Sequence, residues 1–319
     1  MPVTLAQAKL NVQTEMEAGV IDEFRKSSWL LDNLTFHDCV SPTGGGATLT
    51  YGYTRLLTEA TAAFRAVNTE YTPQEATKQP YTVELKVFGG AFTIDRIIAS
   101  LGGFIDEVAL QVGQKVKSTR ALFGDTFING DVGVDANAFD GLNKALAGTS
   151  TELTPAAAID LSTSAAMDSN WKAFLDTLDE FQALTMDKPA AFLGNSKVIT
   201  KIKSVARRAG YFSQTEDAFG RKVDTYDGIP LIDLGAKPGS ANPIIGIDGT
   251  SKETSLYAVC LGMDTLHGVS LAGQPPIRQW LPQFTEAGAV KKGEVEMVAA
   301  IALKQTRGAA VLRKIKVAA

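Results

Sequence analysis

YTVELKVFGGAFTID, at residues 81–95, is the stretch on which the reading of this chain turns. Val83, Leu85 and Val87 fall on one side of an extended backbone, and Thr82, Glu84 and Lys86 on the other. That period of two predicts a half-buried strand. An amphipathic helix is expected next, over residues 95–123 with a break at Gly102-Gly103. Phe104, Ile105, Val108, Val112 and Val116 line one of its faces. Beyond it lies FINGDVGVDANAFDGLNKAL (residues 127–146), aromatic and rich in Gly and Asp, with no catalytic or cofactor motif.

Upstream, residues 48–92 read as one long excursion. TLTYGYTRLL begins as a strand with Leu49, Tyr51 and Tyr53 on one face, and TVELKVF returns as another. Between them EATAAFRAVNTEYTPQEATKQP (residues 59–80) is polar and charged, punctuated by Pro73 and Pro80. So long a polar excursion is unusual in a compact domain, and a two-stranded arm needs a neighbour to cover it. The segment therefore reads as an arm that packs on another subunit, with Arg55, Glu59, Arg65, Glu70, Glu75 and Lys78 as contact candidates. Further upstream, residues 5–26 are weakly helical and peripheral, and SPTGGG (residues 41–46) is a turning connector. Triple glycine without a following GK[ST] is not a phosphate cradle.

Downstream, the small residues of LAGTSTELTPAAAIDLSTSAA (residues 146–166) suggest a boundary or an exposed crossing. A helix over residues 170–184 places Trp171, Phe174, Leu175, Leu178 and Phe181 on one face. AAFLGNS reads as a buried strand ending in a helix cap at Asn195. The helix after it, residues 196–209, ends at Gly210 with Arg207 and Arg208 in its last turn. TYDGIPLIDLG is a turn at Asp227-Gly228 followed by a strand, and strand-like runs continue to the end of the chain. Helices in the middle with strands on both sides predict an α+β fold of interleaved domains, not a parallel α/β repeat.

Composition narrows the function. A chain of 319 residues with 45% apolar and 21% charged residues can bury a sizeable core, which excludes wholesale disorder. A net charge of -4 argues against a dedicated nucleic-acid binder, although a mildly acidic wall would let enclosed DNA slide. Cys39 and Cys260 form no CxxC pair and read as two reduced thiols. No secretion signal is legible, and no run approaches the ~18 apolar residues needed to cross a bilayer, so a cytoplasmic chain is expected.

Candidate chemistry is sparse. His37 and His267 are the only histidines, and neither has a flank such as GxSxG, so structural roles are expected. Asn129, Asp131 and Asp135 invite a calcium reading, but an EF-hand loop needs a closing Glu that this segment lacks. A Gly/Asp turn after the long helix explains it better. Lys197, Lys201 and Arg208 fall near one helix face, flanked by Lys203 and Arg207. They could meet phosphate, or else form a solvated outer face or pair with the acids of a neighbouring subunit, and the acidic balance favours the latter; Lys201, Arg207 and Arg208 join the contact candidates. No catalytic, cofactor-binding or metal residue is assigned.

In order and spacing, these pieces resemble the major capsid proteins of tailed bacteriophages, of the Hong Kong ninety-seven fold shared with encapsulins. Four features carry the resemblance: the arm at 48–92 with its FTID link, the long helix, the pattern FINGDVGVDANAFDGL, and AAFLGNSKVITKIKSVARRAGY with TYDGIPLIDLG. Two departures occur: the turn Gly130-Asp131-Val132-Gly133 is one residue longer than Gly-Asp-Gly, and Asp140 precedes Gly141-Leu142.

The resemblance implies an N-terminal arm (1–47), an extended β-hairpin loop (48–92), a peripheral domain with a spine helix (93–140 and 283–319) and an axial domain (141–282). It implies a non-enzymatic subunit that forms hexamers and pentamers of an icosahedral virion shell around double-stranded DNA, assembled in the host cytoplasm. The implied partners are a separate scaffolding protein, a portal and a decoration protein, with no membrane and no cofactor. Some relatives weld subunits through a Lys-Asn isopeptide bond. Lys78 could supply the lysine, but no Asn follows Asn242, so a non-covalent shell is expected. The rivals are an encapsulin-type compartment, a tail-tube protein and, from another class, a soluble hydrolase, which would need convergent polar groups in a pocket.

Overall fold

The computed structural model describes residues 29–41, 48–58, 60–101, 106–210, 213–216, 222–285 and 287–318. The chain begins with a short helix, α1 (Trp29–Asn33), and a strand, β1 (Phe36–Val40). A hairpin follows, β2 (Thr50–Leu56) and β3 (Lys78–Glu84), paired from Thr50↔Glu84 to Leu56↔Lys78. The stretch read as one strand over 81–95 is two, because β4 (Lys86–Asp95) starts after a break at Leu85 and leaves the hairpin. Leu85 is buried and the alternation slips there, so Val87 is half exposed while Phe88 turns to the core. Alternation within a segment does not reveal that its two halves serve different partners.

The helical region also shifts. Asp95 caps only a five-residue helix, α2 (Arg96–Ser100), and the spine helix α3 (Glu107–Asn129) starts at a new cap. The Asp106 carboxylate accepts the Val108 N–H at 2.9 Å. Val108 and Val112 pack on Phe92, Ile94 and Ile98 as their spacing predicts, whereas Phe104, Ile105 and Gly102-Gly103 lie outside the described residues. The helix runs six residues past Phe123, and its last turns are the most buried. Phe123 stands in a ring cluster with Phe36, Phe88, Phe127 and Phe139, centroids 5.8–6.3 Å away.

The Gly/Asp segment is a loop closed on itself. The Gly141 N–H donates to the Gly130 carbonyl at 2.8 Å, leading into α4 (Leu142–Ala145). A Cβ at Gly141 would meet Ile128 O at 2.7 Å and Gly130 N at 2.8 Å, so only glycine lets the two ends approach. The small-residue stretch after it crosses to the second large sheet, with Ala147, Gly148, Ala156 and Ala157 exposed. It forms β5 (Glu152–Leu153), β6 (Ile159–Asp160) and the first turns of α5 (Ser164–Ala183), capped by Thr163. The face predicted on α5 is correct, with Phe174, Leu178 and Phe181 buried.

The remaining elements are β7 (Ala191–Gly194), α6 (Ser196–Ala209), β8 (Ser213–Glu216), β9 (Lys222–Tyr226), β10 (Ile229–Asp233), β11 (Glu253–Val259), β12 (Leu266–Leu271), β13 (Ile277–Trp280), β14 (Val290–Leu303) and β15 (Ala309–Lys316). As predicted, Asp227 and Gly228 form the turn between β9 and β10, both with positive φ. Strands assemble into two larger sheets. One runs β1-β12-β14-β13, with β4 along β14; the other runs β5-β15-β11-β7-β10-β9-β8, with β6 on β15. The spine helix lies against the first sheet, and α5 and α6 share a core with the second. The sheets cut the chain differently from the expected break at 282/283. β12 and β13 join β14, and β15 returns to the strands of the middle region.

Asn195 is the hinge pin of the second sheet. It is 1% exposed, its Oδ1 accepts the Val198 N–H at 2.9 Å, and its Nδ2 donates to Ile245 O at 3.1 Å and Thr254 Oγ1 at 2.7 Å. Asn195→Ala removes the cap and leaves a buried carbonyl unpaired, an expected loss of about 3 kcal/mol. A thermal melt should fall by roughly 6 °C for a chain of this size, and a change below about 1 °C would contradict that role.

Candidate assembly surface

The arm is anchored at its root and bare at its end. Leu49, Tyr51, Tyr53 and Val83 pack on the main core, as the alternation in β2 predicts. The Tyr53 hydroxyl donates to the Leu303 carbonyl at 3.0 Å, and Arg55 donates to the same oxygen. The Arg55 guanidinium also lies over the Tyr81 ring at 4.4 Å, a cation–π contact. Burial raises the Tyr53 phenol above its ordinary range, although Arg55 beside it pulls the other way. Lys86 closes the base, with its ammonium 2.7 Å from Glu84 and 3.0 Å from the Ala136 carbonyl.

Beyond Leu56 every described residue up to Pro80 is exposed. The two sides are held by Leu57 N–H to Thr77 O at 2.8 Å, by Thr58 with Thr77 at 2.8 Å, and by Thr61 with Gln74. A turn at 66–69, with Asn68 at φ 67°, forms the tip. Arg65 braces it, donating to Ala66 O at 3.3 Å and Thr69 O at 3.2 Å while lying 5.3 Å from the Tyr71 ring centroid. Three apolar side chains project here into open space: Phe64 (107% exposed), Val67 (87%) and Tyr71 (60%). In the sequence, charge singles out the contact candidates, and these three residues are not among them. Their lone apolar character within a polar run was the available clue.

The contact candidates divide by position. Arg65, Glu70, Glu75 and Lys78 are exposed along the arm, and Glu59 lies outside the described residues. Arg55 is turned inward at the root. Lys201 donates to Ser162 O at 2.7 Å, and Arg208 pairs with Asp168 at 2.7 Å and reaches Ser164 Oγ at 3.1 Å. These two therefore bind α6 to α5 and the turn before it within one chain. Arg207 is exposed and bonds to its own helix at Lys203 O, 3.3 Å away.

The acidic turn is committed to a lysine. The Lys144 ammonium sits 2.6 Å from Asp131 and 2.9 Å from Asp140, and Asp131 also accepts the Gly133 N–H at 2.7 Å. Lys144, followed by the Gly133 N–H, holds the Asp131 carboxyl below the usual range. Asn129 turns its amide to Asp125 and Ile244 O, so the three calcium candidates do not converge. Among the described residues no three His, Cys, Asp or Glu are placed to hold a metal ion. No described helix is long and apolar enough to cross a membrane.

No protein-family model and no curated protein matches the chain. Solved structures do. The chain is similar over 99% of its length, and 97% of the other chain, to the holo-SrpI encapsulin complex from Synechococcus elongatus PCC 7942, at 15% identity and a TM-score of 0.66. The capsid of a native GTA particle matches at 12% identity over 95% of each chain, with a TM-score of 0.63. The capsid of Myoviridae phage XM1 matches at 10% identity over 95% of this chain and 97% of that one, with a TM-score of 0.57. The fold is therefore α+β and of the Hong Kong ninety-seven type.

Proposed function

We propose that this chain is the major shell subunit of a tailed bacteriophage, assembling as hexamers and pentamers into an icosahedral capsid around double-stranded DNA. The arm carries the reading. A hairpin tied to the main sheet at the root, yet holding Phe64, Val67 and most of Tyr71 in solvent, has an apolar surface that the described residues leave largely uncovered. A second copy is the cover that the fold suggests, and contacts of that heterologous kind close into rings. In this reading the five-stranded sheet and spine helix form the peripheral domain, and the eight-stranded sheet with α5 and α6 forms the axial domain. A scaffolding protein, a portal and a decoration protein are the further partners, and the host cytoplasm is the place of assembly.

The encapsulin likeness, at nearly full coverage and a TM-score of 0.66, favours a second reading, a compartment that holds protein. Negative-stain electron microscopy of the high-mass fraction, with and without a co-expressed scaffold candidate, tests both. Uniform hollow icosahedra containing nuclease-protected DNA support the phage reading, and the same shells filled with protein support the encapsulin one. A small monodisperse oligomer under every condition overturns both.

A further inference from the structure

The root of the arm rests on two imidazoles. His267 on β12 is fully buried, and neither of its ring nitrogens has a hydrogen-bond partner among the described residues. His37 on β1 adds a third buried nitrogen, Nδ1, in the same condition. The two rings lie 6.0 Å apart. Tyr51 of the arm stands over both, 5.7 Å from His37 and 5.8 Å from His267, at 84° and 87° to their planes. A neutral imidazole in such a nest forgoes a hydrogen bond. An imidazolium would leave a desolvated charge with two unsatisfied donors, which costs far more.

The groups around this nest do not compensate such a charge. Lys304, just past β14, and His37 both repel a proton on His267. Asp264, in the loop before β12, attracts one, but it ranks last among the influences. From the arm come Tyr51, Tyr53 and Arg55, the last a cation already on Leu303 O. Asp38 on β1 accepts the Gly273 N–H at 3.2 Å.

We propose that the His37–His267 pair is an acid-sensitive latch: the neutral rings seat Tyr51, and protonation of His267 releases β2 and β3 from the end of the main sheet. Burial first, then Lys304 and His37, push His267 from 6.5 down to about 4 when the arm is seated. A released arm exposes the ring and returns it towards its ordinary value. The released state therefore takes the proton first. Seating is at full strength above about pH 6.5 and weakens by about tenfold per unit down to about pH 4, a roughly 300-fold change in all. The latch lies within one chain and stands whether or not the chain forms a shell.

Amide hydrogen exchange on the full chain between pH 7.5 and 4.5, corrected for the intrinsic rate, tests it. Protection in β2 and β3 is expected to fall by about tenfold per unit below pH 6.5, while β11 and β15 keep theirs. His267→Phe, which keeps an apolar ring in the nest, should flatten that dependence. A parallel titration of the imidazole C2 proton reads His267 directly in the unsubstituted chain. Equal loss in His267→Phe, uniform loss across all strands, or a His267 that titrates near 6.5 each overturns the latch. If His267→Phe fails to fold, the imidazole titration and the strand-selective exchange of the natural chain decide it.

Discussion

Subunits carrying Phe64→Ser and Tyr71→Ser together are expected to fold as the natural chain does and to form no particles. Inside the chain these side chains contribute almost nothing. Phe64 is fully exposed, and Tyr71 has one cation–π contact with Arg65, worth under about 1 kcal/mol in water. The melting temperature should therefore stay within about 2 °C of the natural value. Between subunits the account differs, because burying a large apolar side chain yields about 2 kcal/mol. Losing two per arm weakens each contact by about 4 kcal/mol, roughly a thousandfold in its association constant, and a closed shell multiplies that loss over every arm. Light scattering after size exclusion, run beside a thermal melt, separates the two effects. Particles at the natural concentration would remove the arm from assembly, and a collapsed melt would mean that these residues hold the monomer together.

Phe123→Ala is the substitution expected to unfold rather than disassemble. Its ring is fully buried and contacts four other aromatic rings, drawn from β1, β4, α3 and the loop after the spine helix. Phe36 and Phe88 come from the first sheet, so the cavity opens at the junction of helix and sheet. Such truncations cost about 3–5 kcal/mol, since neighbours held by their own backbone cannot close in. At roughly 2 °C per kcal/mol the melt should drop by about 8 °C, with the urea midpoint lowered and its slope unchanged. A loss under about 1 kcal/mol would mean that this junction repacks freely.

How much could be read beforehand depended on range. The Asp227-Gly228 turn, the Asn195 cap and the Gly210 stop were legible because each works within three or four residues. The faces of α5 and β2 were legible because a helix repeats every 3.6 residues and a strand every two. The spine helix was legible in kind but misplaced, since Asp95 and Asp106 are equally good caps and the sequence does not rank them. The slip at Leu85 was hidden for another reason. Its two flanks alternate alike, yet one pairs with β2 and the other with β14.

The candidate surface divides in the same way. That residues 48–92 form a long excursion follows from the polarity and length of its middle; the charged candidates Arg65, Glu70, Glu75 and Lys78 are exposed there, and so are Phe64 and Tyr71, which charge does not single out. Lys201 and Arg208 looked like a free basic face because Ser162 and Asp168, their partners, are 39 and 40 residues away. His267 resembled any lone histidine until β1, β2 and β12 were seen to converge on it.

By itself, then, the order of residues determined the α+β class, the long excursion and the long helix, all of which rest on local periodicity, caps and composition. Only the tertiary structure decided which sheet owns β12, β13 and β15, which cations are already neutralised, and what lies beneath Tyr51. Strand partners and buried neighbours are chosen by the free energy of contacts between distant segments, and nothing in a local pattern records that choice.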